Sequence, residues 1–179
     1  GAWLEEAGEP NPLVLADHFE RAGETERAAL HATRAAEDAL DANAFAAAID
    51  SAERAARLGA TGPMLGRLRL TQAVAHAWRV EHALALAAAT AAMSLLAPGS
   101  DGWADALHHR AWAASMLGQI DDVVPLAREV REALVARPTP ALLVTTCVVA
   151  IKLIEAGRFE EARPLLATAE AAAARAQGY

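Results

Sequence analysis

The sequence predicts an all-α protein, a stack of antiparallel helix pairs, and three observations carry that prediction. Hydrophobic residues make up 54% of the 179 residues while aromatics make up only 4%. Alanine supplies about a quarter of the chain, well above ordinary usage. It is the strongest helix former, and its small side chain lets helix axes approach to the low end of about 8–10 Å. Breakers then punctuate the chain at intervals of helix length: Gly23, Asn43, "GATGP", "PGSDG", Gly118, "RPTP" and Gly157. Finally, an alanine stands seven residues before each of five expected turns. These are Ala16, Ala36, Ala73, Ala111 and Ala150, ahead of Gly23, Asn43, Val80, Gly118 and Gly157. No stretch reads as a strand.

These marks delimit nine helices, taken in order. The first, about 12–22, stops at Gly23. The next, about 24–41, carries Ala28 and Ala35 and serves as second helix of one turn and first helix of the next, because only 20 residues separate Gly23 from Asn43. About 44–58 holds Phe45, Ala48 and Ala55; about 63–79 holds Ala73; about 82–97 holds Ala85 and Ala92. About 101–117 holds Ala111, about 120–136 holds Val123 and Val130, and about 139–156 holds Ala150 in an apolar run. The last, about 159–176, carries Phe159, Ala162 and Ala169 as expected stacking contacts. Pro125 falls near a helix start, whereas Pro164 is about the sixth residue of its helix, where a local kink is expected. A hairpin of this kind has apolar surface on two sides, which stacking against the next hairpin buries.

The frame of glycine, polar residue, aromatic, two residues and alanine is clearest in "AIKLIEAGRFEEARPLLATAE". It resembles the tetratricopeptide-repeat (TPR) family, whose unit is a pair of antiparallel helices with small residues at their crossing. The resemblance implies a right-handed superhelix, a TPR-like α-solenoid. The turns at 43, 80, 118 and 157 are 37, 38 and 39 residues apart, longer than the family's usual 34 or so, and the tryptophan and proline signature places are mostly not kept. Residues 1–179 then form a single TPR-like helical repeat domain. Residues 1–23 are an N-terminal helix or junction, and 24–58, 63–97, 101–136 and 139–176 are helix pairs. The words "LADHFERAGETERAA" and "ANAFAAAIDSAERAARLGA" resemble the junction after an NTPase and winged-helix module in bacterial signalling proteins, among them serine/threonine kinases and transcription regulators with a signal-transducing ATPase. That resemblance implies that the chain is part of a larger protein.

Composition excludes several functions. A net charge of −7 with a single lysine, Lys152, argues against a nucleic-acid surface, which needs clustered cations. One cysteine, Cys147, rules out an internal disulfide framework and fits a reducing, cytoplasmic setting. The most apolar run, "ALLVTTCVVAI", is shorter than the roughly 20 residues a membrane span needs, and no charged-then-apolar secretory signal is visible at the start of the sequence. No metal, cofactor or catalytic site is expected. His108 and His109 are adjacent on a helix and so point about 100° apart, and no HExxH or paired-cysteine pattern exists. Glu160, Glu161, Asp121 and Asp122 begin helices, where carboxylates favourably meet the helix dipole.

The TPR resemblance implies that the first helix of each pair lines the concave face. Counting back from each turn places Arg67, Leu70, Val74, Ala77 and Trp78 there, then Asp105, His108, Trp112, Ser115 and Met116, then Val144, Cys147, Ile151, Ile154 and Glu155. The candidate groove is therefore Leu70, Val74, Trp78, His108, Trp112, Met116, Cys147, Ile151 and Ile154, apolar where the family's carboxylate clamp holds lysine and asparagine. Two readings stand. Either these residues accept an apolar protein or peptide segment, or a neighbouring domain of the parent chain, or they are core. The expected function is a non-catalytic interaction scaffold or regulatory sensor of a larger ATPase- or kinase-linked protein. The alternative is the small-molecule, inducer-sensing domain of a transcription regulator.

Overall fold

The computed structural model describes residue 9 and residues 11–177, with side chains as far as 175. The rest of the expected N-terminal junction, at 1–8 and 10, lies outside the described residues. Among the described residues nine α helices follow one another: α1 (Pro12–Arg21), α2 (Thr25–Asp41), α3 (Phe45–Arg57), α4 (Gly62–Trp78), α5 (His82–Leu95), α6 (Asp101–Met116), α7 (Val123–Ala136), α8 (Pro140–Glu155) and α9 (Phe159–Gln177). There is no strand among the described residues.

Two kinds of joint connect them. The tight joints, at Gly23, Asn43, Val80, Gly118 and Gly157, all place one residue at positive φ. At Gly157 the two bonds that close a helix end are complete: the Arg158 N–H donates to Leu153 O at 2.8 Å and the Gly157 N–H to Ile154 O at 2.9 Å. Glycine enters this left-handed conformation without a Cβ penalty. Val80 makes the same turn with φ +62 despite being β-branched, so this turn is strained where the others are not. The wider joints lead into α4, α6 and α8. Two of those helices start on side-chain caps: Ser100 accepts from the Trp103 N–H at 3.2 Å, and Thr139 accepts from the Leu142 N–H at 3.2 Å.

Two details depart from expectation. The helix expected from 120 begins with a 3₁₀ turn, Ile120–Asp122, and becomes α-helical at Val123. The cause is Pro125, which lacks the N–H that a helix starting at 120 would require of it; starting at Val123 puts proline in the first turn, where no N–H is needed. Phe159 is 58% exposed and does not stack. It is the first residue of α9, whose buried stripe runs instead through Ala162, Leu165, Ala169 and Ala172. α9 continues as one helix through Pro164.

The alanines ahead of the turns are the crossing points. Ala16, Ala36, Ala73, Ala111 and Ala150 are all 0% exposed. The places five and twelve residues after each turn are buried too, including Val123 and Val130. Helices pack against their sequence neighbours, and the first helices of successive pairs, α2, α4, α6 and α8, also pack against one another. Thr145 ties α8 to α6 by donating to Ala104 O at 3.1 Å. The pairs thus form one continuous stack, with the first helices side by side.

Candidate functional site

Side-by-side packing of α4, α6 and α8 brings their C-terminal halves onto a common surface. None of the nine candidate groove residues is buried: Trp78, Met116, Ile151 and Ile154 are exposed, and Leu70, Val74, His108, Trp112 and Cys147 are half-buried. Leu70 packs against the core cluster of α6 to α9.

A cavity of about 400 Å³ opens between α4 and α6, lined by Ala77, Trp78, Val80, His108, His109 and Trp112. It brings together three expected residues, Trp78, His108 and Trp112, while Leu70, Val74, Met116, Cys147, Ile151 and Ile154 stand outside it. His109 and Val80 were not expected there. His109 lies one place off the counted positions, and the signal for Val80 was a β-branched residue occupying a turn place that glycine usually holds.

Both indoles are braced from behind. Phe45, the first residue of α3, stacks parallel to Trp78 with ring centroids 6.1 Å apart and 4° between planes. His82, the first residue of α5, meets Trp112 edge-on at 5.1 Å and 73°. Such pairs add attraction beyond area burial and fix ring orientation. Both braces occupy the aromatic place of the repeat frame, two residues after a turn. Trp78 remains 69% exposed, an indole held in place yet open to solvent.

The imidazoles His108 and His109 lie 4.9 Å apart, centroid to centroid. Burial pulls His109 down to about 4, with His108 adding to the effect. Burial also lowers His108, with Lys152 in the same direction and Asp105 opposing. Both are neutral at pH 7. Asp105 itself is raised, again by burial. Two nearby cations are engaged: Arg79 pairs with Glu81 at 2.9 Å, and Lys152 with Glu155 at 2.8 Å. Glu81 also reaches His76 Nδ1 at 2.6 Å across the Val80 turn, a partnership the sequence did not reveal. Arg79 first, then His76, hold the Glu81 carboxyl down to about 2. The Glu81 clamp and the bond from its N–H to His76 O at 2.9 Å hold the strained turn closed.

No group of three or more metal-capable side chains converges among the described residues, and no described helix is long and apolar enough to cross a membrane. The chemistry this site offers is contact: two indoles, small aliphatic surface and two neutral imidazoles.

No protein-family profile matches the chain, and no curated protein matches it by sequence. Solved structures do match. MamA aligns with a TM-score of 0.67 at 14% identity, over 92% of this chain and 98% of its own. YrrB, described as a TPR protein with an unusual peptide-binding site, aligns with a TM-score of 0.60 at 17% identity, over 96% of this chain and 90% of its own. The fold is a TPR-like α-solenoid. At these identities the likeness extends to the fold alone.

Proposed function

We propose that the chain is a non-catalytic protein- or peptide-binding module whose docking surface runs along α4, α6 and α8 and is anchored at the cavity between α4 and α6. The observation that carries this reading is Trp78, braced by Phe45 yet 69% exposed beside the cavity. A rigid aromatic left open to solvent is the residue type that dominates binding energy at interfaces. The occupant is a peptide segment of another protein or a neighbouring domain of the parent chain. The resemblance of the opening segment supports a regulatory place in a larger ATPase- or kinase-linked signalling protein.

Selection of peptides from a displayed random library tests the reading. Trp78→Ala and Trp112→Ala are expected to weaken the selected peptides at least ten-fold without changing the melting temperature by more than a few degrees. Selected peptides that ignore both substitutions would sink it.

A second reading, an inducer-sensing domain, is favoured by the cavity size, which falls in the range of about 300–1,000 Å³ typical of small-ligand sites. Its lining offers few hydrogen-bonding side chains beyond His108 and His109, which disfavours a polyhydroxyl ligand such as a sugar. A thermal-shift screen with sugars and metabolites separates the two readings, because stabilisation by a free metabolite belongs only to the second.

A further inference from the structure

We propose that the cavity between α4 and α6 reads one side chain of the docked segment, an uncharged aromatic ring bearing a single hydrogen-bonding atom, as in tyrosine or tryptophan. This deepens the peptide-docking reading and rests on it.

Shape comes first. A volume of about 400 Å³ lies near the low end for small-ligand sites and suits one large side chain. The two indoles are already oriented by Phe45 and His82, so a ring entering between them meets fixed faces and edges. Preorganised aromatic walls reward an aromatic guest over a flexible aliphatic one.

Polarity then narrows the guest. Neither His108 nor His109 has a hydrogen-bond partner among the described residues, although both line the cavity. A neutral imidazole presents one donor and one acceptor nitrogen. Filling the cavity with a purely hydrocarbon ring would strip water from these nitrogens and return nothing, whereas a phenol O–H or indole N–H can donate to one of them.

Charge excludes the rest. Arg79, beside Trp78 in the chain, is engaged by Glu81, and Lys152, whose charge acts on His108, by Glu155, so neither awaits a carboxylate. Asp105, on the same helix as His108, has no ion-pair partner among the described residues and repels one. The guest is therefore not a carboxylate, neither an acidic side chain nor a C-terminus. A quaternary ammonium has no proton to offer the imidazoles.

Titration followed by NMR, on the Trp112 indole and His109 imidazole signals, tests the proposal with N-acetyl amides of tyrosine, tryptophan, phenylalanine, leucine and lysine. Tyrosine and tryptophan amides are expected to bind at least five-fold more tightly than phenylalanine amide, and leucine amide more weakly still. His109→Leu or His108→Leu is expected to erase the tyrosine-over-phenylalanine preference while leaving phenylalanine amide unchanged. His109→Gln keeps a polar group and should retain part of the preference, which guards against a simple folding defect. Equal binding of tyrosine and phenylalanine amides, a preference that survives both leucine variants, or lysine amide binding best would each overturn the proposal. A capped Ala-Ala-Tyr-Ala-Ala peptide is expected to bind at least ten-fold more tightly than p-cresol. If p-cresol binds equally well, the occupant is a free aromatic molecule and the commitment to a peptide fails. If capped pentapeptides bind whatever their central residue, the docking surface stands and this inference falls. If no probe perturbs Trp112 or His109, both fall.

Discussion

The two ends of the stack are packed from different materials. Around α1 to α4 the larger buried cluster is Ala16, Ala32, Ala36, Ala52, Ala55 and Ala60, with Leu68 as its large member, and a smaller separate group of Leu15, Phe19 and Ala28 sits between α1 and α2. Around α6 to α9 it is built from Leu107, Leu126, Leu134, Leu142, Leu153 and Leu165 with Val123, Val130 and Val149. A buried CH₂ contributes about 0.8 kcal/mol, so the second region gains much more per position from leaving water. The first region gains close backbone approach instead. The same hairpin therefore tolerates opposite errors at its two ends, and the cavity lies near the seam, where α4 supplies Leu68 to one cluster and lays Leu70 against the other.

Deleting volume should separate the regions most sharply. Leu153→Ala, at a site with no exposure, is expected to cost about 3–4 kcal/mol. In a denaturant melt it would appear as a lower midpoint with an unchanged slope.

Acid is expected to act on the second region next. Unfolded, the His109 imidazole takes its proton near 6.5; folded, burial delays this to about 4. Between those values the unfolded chain holds more protons, so the His109 contribution to stability falls as pH drops from 6.5 to 4, by up to about 3 kcal/mol, and levels off below, where protonation of Glu81 continues the decline. Melting temperatures measured across that window should show this slope in the native protein and lose most of it in His109→Leu.

Adding volume is the test for the first region. Ala36→Leu, at a fully buried crossing, is expected to cost about 2 kcal/mol through overpacking. The same substitution at exposed Ala42, which caps the C-terminal end of α2, should cost almost nothing.

The smallest effect has the opposite sign. Val80→Gly relieves a left-handed β-branched residue and is expected to stabilise the protein by about 1 kcal/mol. Because Val80 lines the cavity, the same change should loosen the site. A gain in melting temperature with a loss of binding would mark the strain as part of the site.

The fold was legible because its determinants are local. A small residue at each crossing and a left-handed residue at each turn recur at fixed offsets, and all five crossings are buried as a result. The 3₁₀ start of α7 was missed because the consequence of Pro125 depends on where the helix begins. The site was only partly legible. Counting from the turns found Trp78, His108 and Trp112, since each projects from a first helix toward a neighbouring pair. It could not find His109 or the Glu81–His76 clamp, which depend on how far α4 and α6 stand apart and on side chains meeting across a turn. Nor could it show which apolar side chains a neighbour covers. Cys147 and Ile151 hold the same frame places as His108 and Trp112, yet they lie outside the cavity.

The order of packing has a consequence in time. Among the described residues every closely packed pair of α helices lies no more than two helices apart along the chain, so these contacts do not wait for a distant segment to return. Chains with such short-range contacts fold quickly, and repeat arrays can start at one place and grow outward. The leucine- and valine-rich end is the place where that growth should begin, with the alanine-rich pairs adding to it one hairpin at a time.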